Sequence, residues 1–191
     1  WYFSVRAGVN TNTGAMQPQG IGDLSAGLAG YWKLDENTGT SAGDASTNGN
    51  TGTLTNGPTW TTGQIGSGVD FDGSNDYITA PDNSALDFTD GATFTVTGWF
   101  NRDTFTTDDT IVAKSNGPLA AGYEVFIDDA TDYLSFYVGD GTDYYGYVTS
   151  SNAFTSSGWH HFSAVWGDTY MKIYVDGVDV GVYNEGTIGN I

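Results

Sequence analysis

Residues 158–183, GWHHFSAVWGDTYMKIYVDGVDVGVY, constrain the fold more tightly than any other stretch. Three runs rich in β-branched and aromatic residues stand in it: Trp159–Trp166, Tyr170–Val175 and Val178–Tyr183. Gly167-Asp168 and Asp176-Gly177 separate them. Asp-Gly between two such runs specifies a two-residue hairpin, because a type I′ turn needs positive φ at both central residues. In the middle run Met171, Ile173 and Val175 alternate with Tyr170, Lys172 and Tyr174, the period of a sheet with one buried face. A three-strand meander does not stand alone, so its apolar side predicts a second sheet packed against it.

The rest of the chain is written in the same grammar. Its 191 residues suit one domain with a short appendage, and 28 glycines with four prolines suit a sandwich of many tight turns. No segment carries a helical period, and no apolar run is long enough to span a membrane. Acidic residues outnumber basic ones 23 to 5, a net charge of −18 that repels nucleic acid and anionic lipid. Nearly all of that acid is aspartate, a turn and metal-loop residue rather than a helix-surface one. Without cysteine there is no disulfide frame, thiolate zinc site or thiol nucleophile. Richness in Thr, Ser, Asn and Gly with little lysine predicts an exported, secreted or cell-surface protein of a bacterium or archaeon. The chain begins at Trp1 rather than Met, so a processed chain or a fragment is expected.

Read in order, residues 1–26 form an N-terminal strand (WYFSVRAGV) and a polar linker. They are either the tail of a preceding domain or a strand that docks on the main body, residues 27–191. Leu28–Leu34 is the first core strand. A long polar loop, Asp35–Asn50, follows, and it offers oxygens from Asp35, Glu36, Asp44, Ser46, Asn48 and Asn50. Two readings stay open for it: Asx-turns that satisfy the loop's own backbone, or a structural calcium ion, which takes six to eight oxygen ligands. Leu54–Gln64 reads as a strap over the sandwich. Val69–Phe71 and Tyr77–Thr79 read as a strand pair around the turn Asp72–Asp76. Phe94–Phe100 alternates, with Trp99 on the face opposite Phe94, Val96 and Phe100. Thr110–Lys114 with Tyr123–Asp128, and Tyr133–Val138 with Tyr144–Val148, complete the strands.

Three motifs, in order, carry a resemblance. Gly158-Trp159-His160-His161, an apolar run ending at Trp166, and Met171-Lys172-Ile173-Tyr174-Val175-Asp176-Gly177 resemble the late strands of laminin G-like jelly-roll domains. Those domains belong to the concanavalin A-like lectin/glucanase superfamily, and pentraxins share the meander. Gly30-Tyr31-Trp32-Lys33-Leu34-Asp35-Glu36 and Phe71-Asp72-Gly73-Ser74-Asn75-Asp76-Tyr77 resemble the opening strands of the bacterial laminin G-like type. The likeness covers roughly residues 27–191 and implies an all-β, two-sheet antiparallel jelly roll. Such domains continue with further strands after the segment matching Val178–Ile191. The sandwich is therefore expected to lack its last strands within this chain, and the N-terminal run is one candidate to replace them by strand addition. Related domains carry structural calcium. Where pentraxin-type relatives bridge ligand with calcium, the nearest residues here are Asn116, Glu124, Asp128 and Asp129.

Catalysis is not expected. Hydrolases of the superfamily place carboxylates as Glu-x-Asp-x-Glu on one strand, and Glu36, Glu124 and Glu185 have no such company. Adjacent on a strand, His160 and His161 face opposite sides and cannot share a metal, so both are expected to be structural. Aromatic rings that alternate outward can stack on sugars, and Tyr133, Tyr137, Tyr145, Tyr174 and Trp99 are the candidates, against the alternative that they simply pack. The function expected is a non-catalytic extracellular adhesion or binding module of a larger surface protein, with a glycan or protein ligand. A structural subunit of an extracellular filament or surface layer, joined by strand exchange between neighbouring copies, is the rival. An accessory domain of a secreted carbohydrate-active enzyme is the third reading.

Overall fold

A computed structural model describes residues 2–7, 27–88, 93–102, 109–115, 121–139, 144–153, 158–167 and 170–185, with backbone alone at 2–7, 144–148, 151–153 and 182–185. The architecture is a sandwich of antiparallel sheets. Strands β1 (Tyr2–Ala7), β2 (Leu28–Trp32), β8 (Phe94–Asn101), β13 (Trp159–Gly167), β14 (Tyr170–Val175) and β15 (Val178–Asp179) build a six-stranded sheet. Its order is β15-β14-β13-β8-β1-β2. Strands β9 (Asp109–Lys114), β10 (Gly122–Ile127), β11 (Tyr133–Gly139), β12 (Tyr144–Ala153) and β16 (Gly181–Glu185) build the second sheet, ordered β16-β12-β11-β10-β9. Two small sheets flank them: β3 (Ser41–Ala42), β4 (Gly52–Thr55) and β7 (Tyr77–Thr79), and the hairpin β5 (Thr59–Thr62) with β6 (Ser67–Asp70). A single 3-10 turn at Ser84–Leu86 is the helical content of the described residues.

Alternation drives the packing. In β8, Phe94, Val96 and Phe100 are buried while Thr95, Thr97 and Trp99 are half-buried on the other face. Phe162, Ala164 and Trp166 of β13 and Met171, Ile173 and Val175 of β14 join the same interior, where they meet Val125, Ile127, Leu134 and Phe136 of the second sheet. The Asp-Gly hairpin has the expected geometry, with φ of 49° at Asp176 and 81° at Gly177. Arg102, at the end of β8, is 6% exposed and bonds Asp109 of β9 and Asp132 of the β10–β11 turn, each at 2.5 Å. This ion triad ties one sheet to the other, and no local pattern in the sequence marks it.

Four sequence expectations need correction. The run Val178–Tyr183 is not one strand: β15 pairs with β14, and after Val180 the chain crosses to pair β16 with β12 in the other sheet. Residues 69–71 and 77–79 do not pair with each other. β6 pairs with β5 and β7 with β4, although Asp72 does form the turn between them by accepting the Ser74 and Asn75 amides. Leu54–Gln64 is no strap, since it holds all of β5 and the end of β4. Tyr137, one of the rings offered for stacking on a sugar, is 2% exposed and has no face open to a ligand. β1 pairs on both sides, with β2 and with β8, and so lies within the sheet rather than on its rim.

Candidate functional site

A single register row crosses all six strands of the larger sheet. Asp179, Tyr174, Ser163, Thr97, Ser4 and Tyr31 are successive partners from β15 to β2. Strand alternation sets Tyr174, Thr97 and Ser163 on the face away from Ile173, Val96 and Phe162. Beside this row, one step along, His161 pairs with Trp99. Their rings meet edge to face, with centroids 5.2 Å apart. Trp99 and Tyr174 thus stand on either side of His161, Ser163 and Thr97. With strands about 4.8 Å apart, two strand spacings and two residues along the strand put their backbones roughly 12 Å apart.

Tyr174 is held in place by charge. The Lys172 ammonium lies 5.7 Å from its ring centroid and bonds Asp179 at 2.6 Å. The pair lowers the Asp179 carboxyl and raises the Lys172 amine from their usual values, with the mutual hydrogen bond the main cause in both. On the other side Asp176 accepts the His161 backbone amide and faces His160 Nδ1, each at 2.9 Å. The His161 imidazole is shifted down, chiefly because burial disfavours its charged form, with the Asp176 charge partly opposing.

Thr97 and His161 resemble a hydroxyl–imidazole dyad, with Oγ1 and Nε2 3.1 Å apart. The hydroxyl, however, donates its one proton to the Phe162 carbonyl at 2.7 Å. His161 Nε2 must then carry the hydrogen between the two, so it is a donor to Thr97 and not a base that could activate it. The pair fixes the imidazole and makes no nucleophile.

The five aromatic candidates do not converge. Trp99 and Tyr174 share the outer face of the six-stranded sheet, whereas Tyr133 and Tyr137 sit on β11 of the opposite sheet, facing away from Leu134 and Phe136. Tyr133 is half-buried, Tyr137 buried. The Tyr145 backbone lies in β12, and its side chain falls outside the described residues.

Four of the five metal candidates do come together, and backbone groups occupy them. Asp44 Oδ1 accepts the Tyr31 and Ser46 amides at 2.9 and 2.8 Å, and Oδ2 accepts the Ser46 hydroxyl and the Asn50 amide, both at 2.7 Å. Burial alone pushes the Asp44 carboxyl up, but these donors outweigh it and leave it below its usual value. Asn48 donates to the Leu28 and Ala29 carbonyls, and Asn50 Nδ2 to Ala29 at 2.9 Å. The Trp32 indole closes the arrangement on the Asn50 carbonyl at 2.7 Å, its ring folded over Gly30, where a Cβ would stand 2.5 Å from it. Ala45 N bonds the Tyr31 carbonyl at 2.7 Å. The loop therefore satisfies the side of β2 that β1 leaves open. Asp35 stands apart, accepting the Ser67 amide at 3.2 Å.

No three His, Cys, Asp or Glu among the described residues cluster as a metal site. Of the residues nearest to a pentraxin-type site, Glu124 accepts the Thr110 hydroxyl and Asp128 caps the β10–β11 turn through Thr131. Asn116 lies outside the described residues. Sequence reasoning missed the Thr97–His161 pair and the Lys172–Asp179 frame, because both depend on cross-strand register. The His161–Trp99 meeting joins residues from strands far apart in the chain.

Residues 72–189 match the Laminin_G_3 family model, described as the concanavalin A-like lectin/glucanases superfamily. Neither the search of curated proteins nor that of solved structures finds a match.

Proposed function

Since the chain belongs to the Laminin_G_3 family of the concanavalin A-like lectin/glucanases superfamily, we propose that it is a non-catalytic extracellular binding module. Its ligand is a glycan laid across the outer face of the six-stranded sheet. Laminin G-like domains are commonly extracellular and mostly non-catalytic, within a superfamily that also holds glucanases. One observation carries the ligand assignment: Trp99 and Tyr174 share one sheet face on either side of His161, Ser163 and Thr97, with backbones roughly 12 Å apart, about the span of two sugar units. Rings of this kind stack on the apolar faces of sugars, and hydroxyls and the Lys172–Asp179 pair meet their polar edges. The net charge of −18 selects neutral glycans over sulfated or uronic ones.

One feature supports the absence of catalysis: the Thr97 proton is committed to a carbonyl, so the hydroxyl beside His161 is no nucleophile. Among the described residues no helix is long and apolar enough to cross a membrane.

A glycan array probed with the wild-type chain and with Trp99→Ala tests the proposal. Binding to a neutral glycan that Trp99→Ala weakens at least tenfold is expected. An array with no binder, or binding that Trp99→Ala and Tyr174→Ala both leave intact, would overturn the assignment of this face.

A further inference from the structure

We propose that the glycan face has a second end, formed by Tyr31 and Lys33 at β2, and that its ligand is a curved chain of about five sugar units laid across β14, β13, β8, β1 and β2. The extension rests on the glycan reading of the Trp99–Tyr174 face.

Tyr31 stands between the buried Gly30 and Trp32, so strand alternation turns it away from the interior. Through Ser4 of β1 it is in register with Thr97, which faces away from the buried Val96. Tyr31 and Tyr174 therefore close opposite ends of one row, four strand spacings or about 19 Å apart. Trp99 lies on the strand midway between them, two residues along from that row. Its backbone is thus roughly 12 Å from Tyr31, the same distance as from Tyr174.

The two ends are built alike. The Lys172 ammonium is 5.7 Å from the Tyr174 ring centroid and the Lys33 ammonium 5.9 Å from that of Tyr31, each lysine two residues from its tyrosine. They differ in what else holds the lysine. Lys172 is bonded to Asp179, and Lys114 of the opposite sheet to Asp82 and Asp87. Lys33 is exposed and, among the described residues, pairs with no carboxylate, although the chain carries 23 acidic residues. Three N–H donors beside an aromatic ring are what the end of a sugar chain needs: a stacking surface and partners for its hydroxyls.

Spacing sets the length. Two spans of roughly 12 Å, each about two sugar units, take about five sugars if one is to meet each ring. A trimer reaches only one pair of rings. The path bends at Trp99, because that ring stands off the line joining the tyrosines. A chain that curves can meet all three rings, whereas a flat, straight ribbon meets two.

Oligosaccharides of about two to seven units from amylose and β-1,3-glucan, which curve, and from cellulose and β-1,4-mannan, which run straight, test this by calorimetry. The pentamer of a curved chain should bind roughly tenfold more tightly than its trimer. Tyr31→Ala should bring that ratio close to one, Tyr31→Phe should keep it, and Lys33→Ala, at an exposed position, should lower it. A ratio taken within one variant is insensitive to a general loss of folded protein. Trimers that bind through Trp99 with no gain at five units, or a gain that persists in Tyr31→Ala, would sink the second end and leave the Trp99–Tyr174 site standing. A gain confined to the straight chains would overturn the bent path. No binding of any fraction by the folded wild-type chain would remove the face itself, and this end with it.

Discussion

The Asp44–Asn50 loop and the Trp99–Tyr174 face each offer a dense set of polar or aromatic groups, and they spend those groups in opposite ways. In the loop, the Asp44 carboxylate accepts four donors, and the Asn48 and Asn50 amides go to carbonyls of β2. Apart from the buried Asn50 Oδ1, which has no hydrogen-bond partner, its chemistry is used up in covering a strand edge. On the face, the Lys172 ammonium lies over the Tyr174 ring and the His161 ring meets Trp99, and these contacts orient the two half-buried rings without enclosing them. A concentration of oxygen donors is thus no measure of a binding site. What counts is how much of the donor set the fold has already consumed.

The largest effect expected from this contrast is on stability, in the loop. Asp44→Ala strands the amides of Tyr31, Ser46 and Asn50 and uncovers β2. Losing several partly buried partners at once should cost about 3 kcal/mol, read as a lower urea midpoint with unchanged slope. Glycan affinity, measured where the variant remains folded, should not change. Because the Asp44 carboxyl is held below its unfolded value, its contribution is present above the unfolded pKa and lost as pH falls through the folded one. Asp44→Ala should remove that part of the acid sensitivity. A variant that loses ligand and keeps its stability would reverse the roles given to the two regions.

The converse substitution comes next. Trp99→Ala should weaken glycan binding by about 2 kcal/mol, roughly thirtyfold. Its stability cost should be about 1 kcal/mol, since the ring is half-buried and outside the core. Tyr174→Ala should act in the same direction, and Lys172→Ala more weakly, because the ammonium positions the ring and offers the sugar only a polar edge. Equal losses of stability and affinity in all three would mean that the face packs and does not bind.

How far these regions could be read from the sequence follows from the range of the interactions. The Asp176-Gly177 turn and the alternation of Phe94–Phe100 are local, and both are as the pattern implies. The crossing at Val180 is invisible, because Val178, Val180 and Val182 keep the same alternation whichever sheet they join. Alternation also assigned Tyr137 correctly to the side away from Phe136, but it cannot tell whether that side is covered, and here it is. Asp44 stood in the right cluster. Its partners are backbone amides, which every residue has, so no residue type announced them. The Thr97–His161 contact needed a register set by two strands far apart in the chain.

A smaller effect separates the polar frame from the rings it holds. The His161 imidazole is shifted down by burial, so the unfolded chain binds its proton more readily than the folded one. Stability is therefore full above the unfolded value of 6.5 and falls as pH drops through the folded one. A urea series from pH 7.5 to 5 should show that decline, and His161→Gln, which can still donate to Thr97, should flatten it. A decline unchanged in His161→Gln would assign the sensitivity elsewhere.

The smallest effect expected bears on the loop again. A calcium ion there would need the Asp44 oxygens, and each already accepts two donors at 2.7–2.9 Å. Coordination would have to strip amides from β2 and from the loop itself, with each displaced group costing about 1–3 kcal/mol. That outlay cancels most of what an ion held by one carboxylate and neutral oxygens would gain. Chelator-treated protein titrated with calcium to about 1 mM, well above the affinities of sensor sites, should keep its melting temperature within about a degree. A rise of several degrees that Asp44→Asn abolishes would show that the loop keeps ligand capacity in reserve, and that the line drawn between a covered edge and an open face is in the wrong place.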